Sequence, residues 1–273
     1  MKKIQLFLVI LIAVIFNSCE DVVQVDLKTN SPKLVIEASI NWHKGTSGNQ
    51  QKIRLTTTTG YYSNEIPKVS GAKIYIKNSN NTVFNFIETP NTGEYICVYF
   101  NPKINEIYTL TVISDGQKYM ATETLKSVPL ITKIIQNNQG GFTGDNIEVK
   151  AFYNDPANVD NYYLYRYIYS NQIKSNYYVD EDLFFQGNEF FSVSQNSDLK
   201  SGDEVQISHF GISKTYYNYM RVIISIAGNN SGSPFQSPSA TVRGNIINTS
   251  NFDNYALGYF SLSEVDAQSY IVQ

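Results

Sequence analysis

The chain has 273 residues, room for one large or two ordinary domains, and its 42% hydrophobic and 16% charged content is too apolar for a disordered polymer. Its 21 tyrosines and 15 phenylalanines against a single tryptophan, with abundant Thr, Ser and Asn, point to β structure. A net charge of −3 leaves no basic footprint, which argues against nucleic acid as a partner.

Residues 1–18 begin with Lys2 and Lys3 and continue as an uncharged apolar run from Ile4 to Phe16. A spanning helix needs about 20 apolar residues. Glu20 and Asp21 end this run too early for that, and a short apolar core behind a basic start is the layout of a secretory signal. Its last residues, Phe16-Asn17-Ser18-Cys19, lack a small-x-small cleavage site and look like a lipobox, with Phe where Leu is usual. We therefore expect cleavage before Cys19 and acylation of its sulfur and amine, rather than a buried N-terminal strand or helix with a free thiol or an uncut anchor. Three acyl chains, at about 0.8 kcal/mol per buried CH₂, hold a protein on a membrane permanently. The pair Glu20-Asp21 resembles the export tag that sends Bacteroidetes lipoproteins to the outer face of the outer membrane; the plainer reading is an acidic, solvated linker. With Cys19 lipidated, Cys97 has no intrachain partner, and in "EYICVYF" it reads as a small buried hydrophobe.

A tether to residue 32 leads into a series of period-two segments: 33–42, 52–59, 72–78, 82–88, 94–100, 106–114 and 118–125. In the first, Leu34, Ile36, Ala38, Ile40 and Trp42 share one face. Asn78-Ser79-Asn80-Asn81 and Asp115-Gly116 supply residues that tolerate positive φ, as hairpin tips require. Seven short strands predict an immunoglobulin-like or fibronectin-like sandwich over 33–127. Ser127-Val128-Pro129 reads as a hinge, because proline cannot donate to a ladder.

Residues 128–273 predict a β-rich domain, barrel-like or a sandwich, with one helix. Its strands fall at 130–136, 146–154, 161–170, 189–194 and 203–210. The period then changes: Tyr216, Tyr219, Met220, Ile223 and Ala227 recur at three and four residues, predicting a helix over 213–227 with Ser213 as cap and Gly228 as stop. A Ser/Gly/Pro/Asn loop at 228–240 and strands near 241–247 and 255–263 finish the chain.

Several pieces occur in a familiar order: "EIYTLTVISDGQKYMATETLKSVP", "NDPANVDNYYL", "LFFQGNEF", "GDEVQISHFGISKTYYNYM" and "SPSATVRGNIINTS…ALGYFSLSEV". With the lipobox they resemble the domain-of-unknown-function 4249 family of Bacteroidetes outer-membrane lipoproteins, over nearly the whole mature chain. The most distinctive signature is Gly244-Asn245-Ile246 with Ala256-Leu257-Gly258-Tyr259-Phe260-Ser261; the double proline usual before it is here Pro238-Ser239. The resemblance implies no assigned activity, and frequent proximity of the genes to those of TonB-dependent receptors.

The chemistry of the residues themselves points to binding rather than catalysis. His43 and His209 are solitary, no clustered metal ligands occur at usable spacing, and no G-x-S-x-G elbow, Walker loop or dinucleotide fingerprint is present, so neither metal nor cofactor is expected. In "NYYLYRYIYS", Tyr163, Tyr165, Tyr167 and Tyr169 share one face, with Arg166 on the other. A tyrosine row offers a flat amphipathic surface for a glycan, another small ligand or a partner protein; the alternative is cross-strand packing beneath the helix. The acids Asp155, Asp160 and Asp180-Glu181-Asp182 lack the EF-hand spacing and read as solvated loop. Phe235, amid small polar residues, is a binding tip or a packed plug. The expected function is that of a non-catalytic, surface-exposed lipoprotein, a binding accessory to a TonB-dependent receptor; the alternative is an adhesive or envelope-structural lipoprotein.

Overall fold

The computed structural model describes residues 31–60, 63, 65–141, 143–227 and 242–273. Cys19, Glu20, Asp21, Gly228 and the 228–240 loop with Phe235 and Pro238 lie outside them. The fold is mostly β, with one α-helix among the described residues.

The first seven strands are β1 (Leu34–His43), β2 (Gln51–Thr57), β3 (Lys73–Asn78), β4 (Val83–Thr89), β5 (Glu94–Cys97), β6 (Ile107–Ser114) and β7 (Gln117–Thr124). Alternation decides their inward faces: Ile36, Ala38 and Ile40 of β1 are fully buried while Glu37 and Ser39 between them are exposed. The hairpin β6–β7 turns on Asp115 and Gly116, at φ 47° and 69°, the left-handed pair that follows the twist of the flanking strands. Strand β4 makes a corner. Phe84 and Phe86 pair with Ile76 and Ile74 of β3, whereas Ile87–Thr89 pair with Ile96–Glu94 of β5. The sheet thereby curls until its halves face each other over one core, which includes Ile36, Ile53, Phe84, Tyr95 and Leu110. Cys97 lies in that core, and burial pushes its thiol above the usual range.

The second half adds β8 (Ile131–Gly140), β9 (Asn146–Asn154), β10 (Tyr162–Tyr169), β11 (Asn176–Glu181), a 3-10 turn at Asp182–Phe184, β12 (Glu189–Asn196), β13 (Glu204–Ile212), α1 (Lys214–Ala227), β14 (Ile247–Asn248) and β15 (Leu257–Ile271). β12, β9 and β8 form a three-stranded sheet in that order; the other strands join a twelve-stranded sheet ordered β11-β10-β13-β15-β1-β2-β5-β4-β3-β6-β7-β14. A second core lies between the small sheet (Val149, Ala151, Tyr153) and β10 with β13. On the opposite face of β10 and β13, α1 lays Tyr216 and Tyr217 over Leu164, Phe210 and Val265. Ser213 caps the helix as expected, accepting from Tyr216 N at 3.1 Å, and donates to Glu123 Oε2 at 2.9 Å.

Two expectations are corrected here. The boundary at 127/128 does not separate two sheets, because β15 pairs parallel with β1 from Val35–Leu257 to His43–Val265 and then antiparallel with β13 from Phe210–Val265 to Glu204–Ile271. Its front half thus places Phe260 and Leu262 in the first core, its far half pairs into the second layer, and Pro32–Gln273 packs as one unit. Nor is Ser127-Val128-Pro129 a hinge. Glu264 Oε2 accepts from Val128 N at 2.9 Å, Asp266 Oδ2 accepts from Ile131 N at 2.7 Å, and Gly211 lies so close that a Cβ there would be 1.9 Å from Ser127 O. These buried carboxylates take amide protons that a strand neighbour would otherwise accept.

Candidate functional site

The tyrosine row is core, not surface. Tyr163, Tyr165, Tyr167 and Tyr169 are 0–1% exposed, because β10 is an inner strand and their face meets the small sheet. Three of their hydroxyls are spent inside: Tyr163 donates to Asp155 Oδ1 at 2.5 Å, Tyr165 to Tyr153 Oη at 2.7 Å, and Tyr169 bonds Ser194, while the buried Tyr167 hydroxyl has no hydrogen-bond partner among the described residues. Desolvation drives all four phenols above their ordinary range, Tyr169 to about 12. The rings are covered by the second sheet rather than by the helix, which sits on the Arg166 side.

The other expected residues also find places. His43 is exposed at the end of β1, while His209 is buried with its ring stacked on Tyr165, centroids 4.8 Å apart. Asp180 and Glu181 belong to strand β11 rather than to a loop. Asp182 is buried, and its Oδ2 accepts from Asn161 N at 2.8 Å. Among the described residues no group of three His, Cys, Asp or Glu is disposed to hold a metal ion. The signature around Gly244 and Gly258 is a packing device: Asn245 donates to Phe260 O and accepts from Phe260 N, both at 2.9 Å, standing in for a neighbouring strand. Gly244 passes so near that a Cβ would be 1.8 Å from Gly258 O.

The structure does hold a groove of about 870 Å³ between β11, β12 and α1, within the roughly 300–1,000 Å³ usual for ligand clefts. One wall is Tyr177–Asp180 of β11, the second Phe190–Val193 of β12, and the third Asn218, Arg221, Val222, Ile224 and Ser225 of α1. β11 ends the large sheet and β12 ends the small one, so two strand edges open on the same space. The β12 wall is aromatic: Phe185 stacks on Phe190 at 3.8 Å, and Phe191 packs beside it at 5.4 Å. Helix α1 buries only Tyr217 fully; Val222 is 46% exposed and Tyr177, across the groove, 39%. Asp180 is the one carboxyl in the walls among the described residues, and desolvation raises its pKa. Of these residues the sequence reading singled out only Asp180, and placed it in a solvated loop. The available signal was the period-two pattern in "NYYVDE", hidden by its acidic end.

No curated protein matches the chain. Similar solved structures include the two fibronectin type-III domain segment from chicken tenascin, at 11% identity over 66% of this chain and 90% of that one, TM-score 0.22. A DUF4785 family protein from Legionella pneumophila is 8% identical over 67% of this chain and 54% of its own, TM-score 0.25. The FN1–FN3 domains of chicken CNTN1 are 10% identical over 67% and 60%, TM-score 0.21. The DUF4249 pattern, a domain of unknown function, matches residues 20–269, and the chain with its curled sheet and edge groove belongs to that family.

Proposed function

We propose that the chain is a non-catalytic lipoprotein, anchored through Cys19 on the outer face of the outer membrane of a Bacteroidetes-type bacterium, and that it serves as a binding accessory to a TonB-dependent receptor. The groove between β11, β12 and α1 is its docking site. The observation that carries this reading is the meeting of two sheet edges on one aromatic-walled space. A free strand edge presents a row of amides and carbonyls, and an extended segment that pairs with it gains hydrogen bonds while its alternate side chains enter flanking pockets. Here one set of side chains would meet Phe190 and Phe191, and the other Asn218 and Val222. The receptor as partner rests on the family resemblance and is associational.

The test is co-purification from detergent-solubilised outer membrane. Val222→Glu places a charge on a half-exposed groove position and is expected to lower recovery of the TonB-dependent receptor at least about tenfold, with circular dichroism unchanged; each tenfold is about 1.4 kcal/mol. Undiminished recovery would remove the groove from the interface. The anchor is tested separately: palmitate is expected to label the wild type and not Cys19→Ala, and an unlabelled product retaining Met1 would end the lipoprotein reading.

A further inference from the structure

The face of the large sheet that looks away from the tyrosine row holds a second, smaller cavity of about 190 Å³. Pairing register builds it. Ser39 of β1 lies beside Ser261 of β15, Asn41 beside Ser263, and Arg166 reaches in from β10 under Tyr216 of α1. Ser39 is exposed and marks the mouth, while Ser261 and Ser263 are 3% and 2% exposed and form the inner wall. Ser261 and Ser39 hydroxyls are 3.3 Å apart.

Among the described residues Arg166 is the only charged one that lines this space. Its Nε is inaccessible to solvent and has no hydrogen-bond partner among the described residues. None of the ion pairs found among them involves it. Its guanidinium carbon stands 5.8 Å from the centroid of the Phe210 ring, an aromatic face that gives a cation partial compensation only. Arg166 is part-buried, so the rest of its guanidinium faces the open cavity, and the serines and asparagine around it can orient a ligand but bring no counter-charge.

We infer that this cavity binds a compact oxyanion. The Arg166 fork supplies the charge and two parallel donors, and Ser39, Ser261, Ser263 and Asn41 supply neutral donors around the remaining oxygens. The volume equals about six water molecules' share of liquid, ample for one carboxylate, sulfate or phosphate group. The site lies on the sheet face and does not depend on the groove serving as a docking surface.

Isothermal titration of the mature, detergent-solubilised chain with sodium acetate, sulfate and phosphate, each against sodium chloride at equal ionic strength, tests this. A saturable isotherm is expected with at least one of the three. The ranking of acetate against the tetrahedral anions tells a carboxylate site from a phosphate or sulfate site. Arg166→Met is expected to weaken that binding at least tenfold, and Ser263→Ala about threefold. No saturable heat with any of the three overturns the proposal, as does an isotherm that Arg166→Met leaves unchanged. Should that variant fail to fold, affinity unaltered in both Ser263→Ala and Asn41→Leu overturns it equally.

Discussion

Alanine at Gly258 is expected to destabilise the fold by about 4 kcal/mol, combining the roughly 1–3 kcal/mol of a strained backbone with a steric collision. Gly258 sits within β15 at φ +95°, paired with Ile36 of β1, and a Cβ there would stand 2.1 Å from Ile36 O. Both partners are main chain, so neither can swing aside; relief requires the two strands to part. Gly45 provides the control. Its φ is +78° and nothing lies within 4 Å of an added Cβ, so alanine there carries the conformational penalty alone, about 1–2 kcal/mol. Urea unfolding of the two variants separates the contributions. Equal losses would mean that the close passage of β15 over β1 is not rigid, and the structural account of the family signature would fall with it.

Acid is expected to weaken the protein earlier than its carboxylates alone would allow, through His209. The ring is 1% exposed, lies within 5 Å, centroid to centroid, of Tyr153, Tyr163 and Tyr165, and neither nitrogen makes a well-formed hydrogen bond among the described residues. Burial holds its pKa down at about 3, against 6.5 when free, with Lys44 adding to the depression and the Pro129 backbone opposing it. Below pH 6.5 the unfolded chain therefore takes up a proton that the folded chain refuses. Stability that is full above that pH is lost at about 1.4 kcal/mol per unit as the pH falls, towards a total of about 5 kcal/mol near pH 3. Asp155, Asp180 and Glu123 act in the opposite sense: burial raises their pKa values, so protonation favours the fold. The measurement is for that reason a difference. Between pH 6.5 and 5 the wild type should lose about 2 kcal/mol more than His209→Leu, by urea unfolding at each pH. Parallel losses in the two proteins would show that the imidazole is protonated inside the fold.

The first seven strands were legible because each carries a largely period-two pattern and the tight turns carry residues suited to positive φ, as at Asn81, Asp115 and Gly116. β15 was read far too short. Its buried positions include Ser261, Ser263, Glu264 and Asp266, and polarity there hides a strand whose inward groups are needed to hold the 126–131 connection. β11 was missed for a related reason, since Asp180 and Glu181 looked like a loop. The tyrosine row could be located but not oriented: tyrosine suits a wet surface and a dry one alike, and a second sheet lying across β10 is not visible in the strand's own spacing. Arg166 was singled out beside that row, yet it faces the other way and belongs to a different cavity. The groove arises where two sheets end, a property of topology that no local pattern records.

The parallel seam between β1 and β15 joins positions such as Ser39 and Ser261, more than two hundred residues apart. A ribosome delivers the earlier partner long before the later one, so the opening strand waits, one edge uncovered, until the last stretch emerges. Neither hydrophobic layer can seal sooner, and compaction waits until β15 has been made. For the exported lipoprotein proposed above, that delay would keep the nascent chain pliable while it threads a secretion channel.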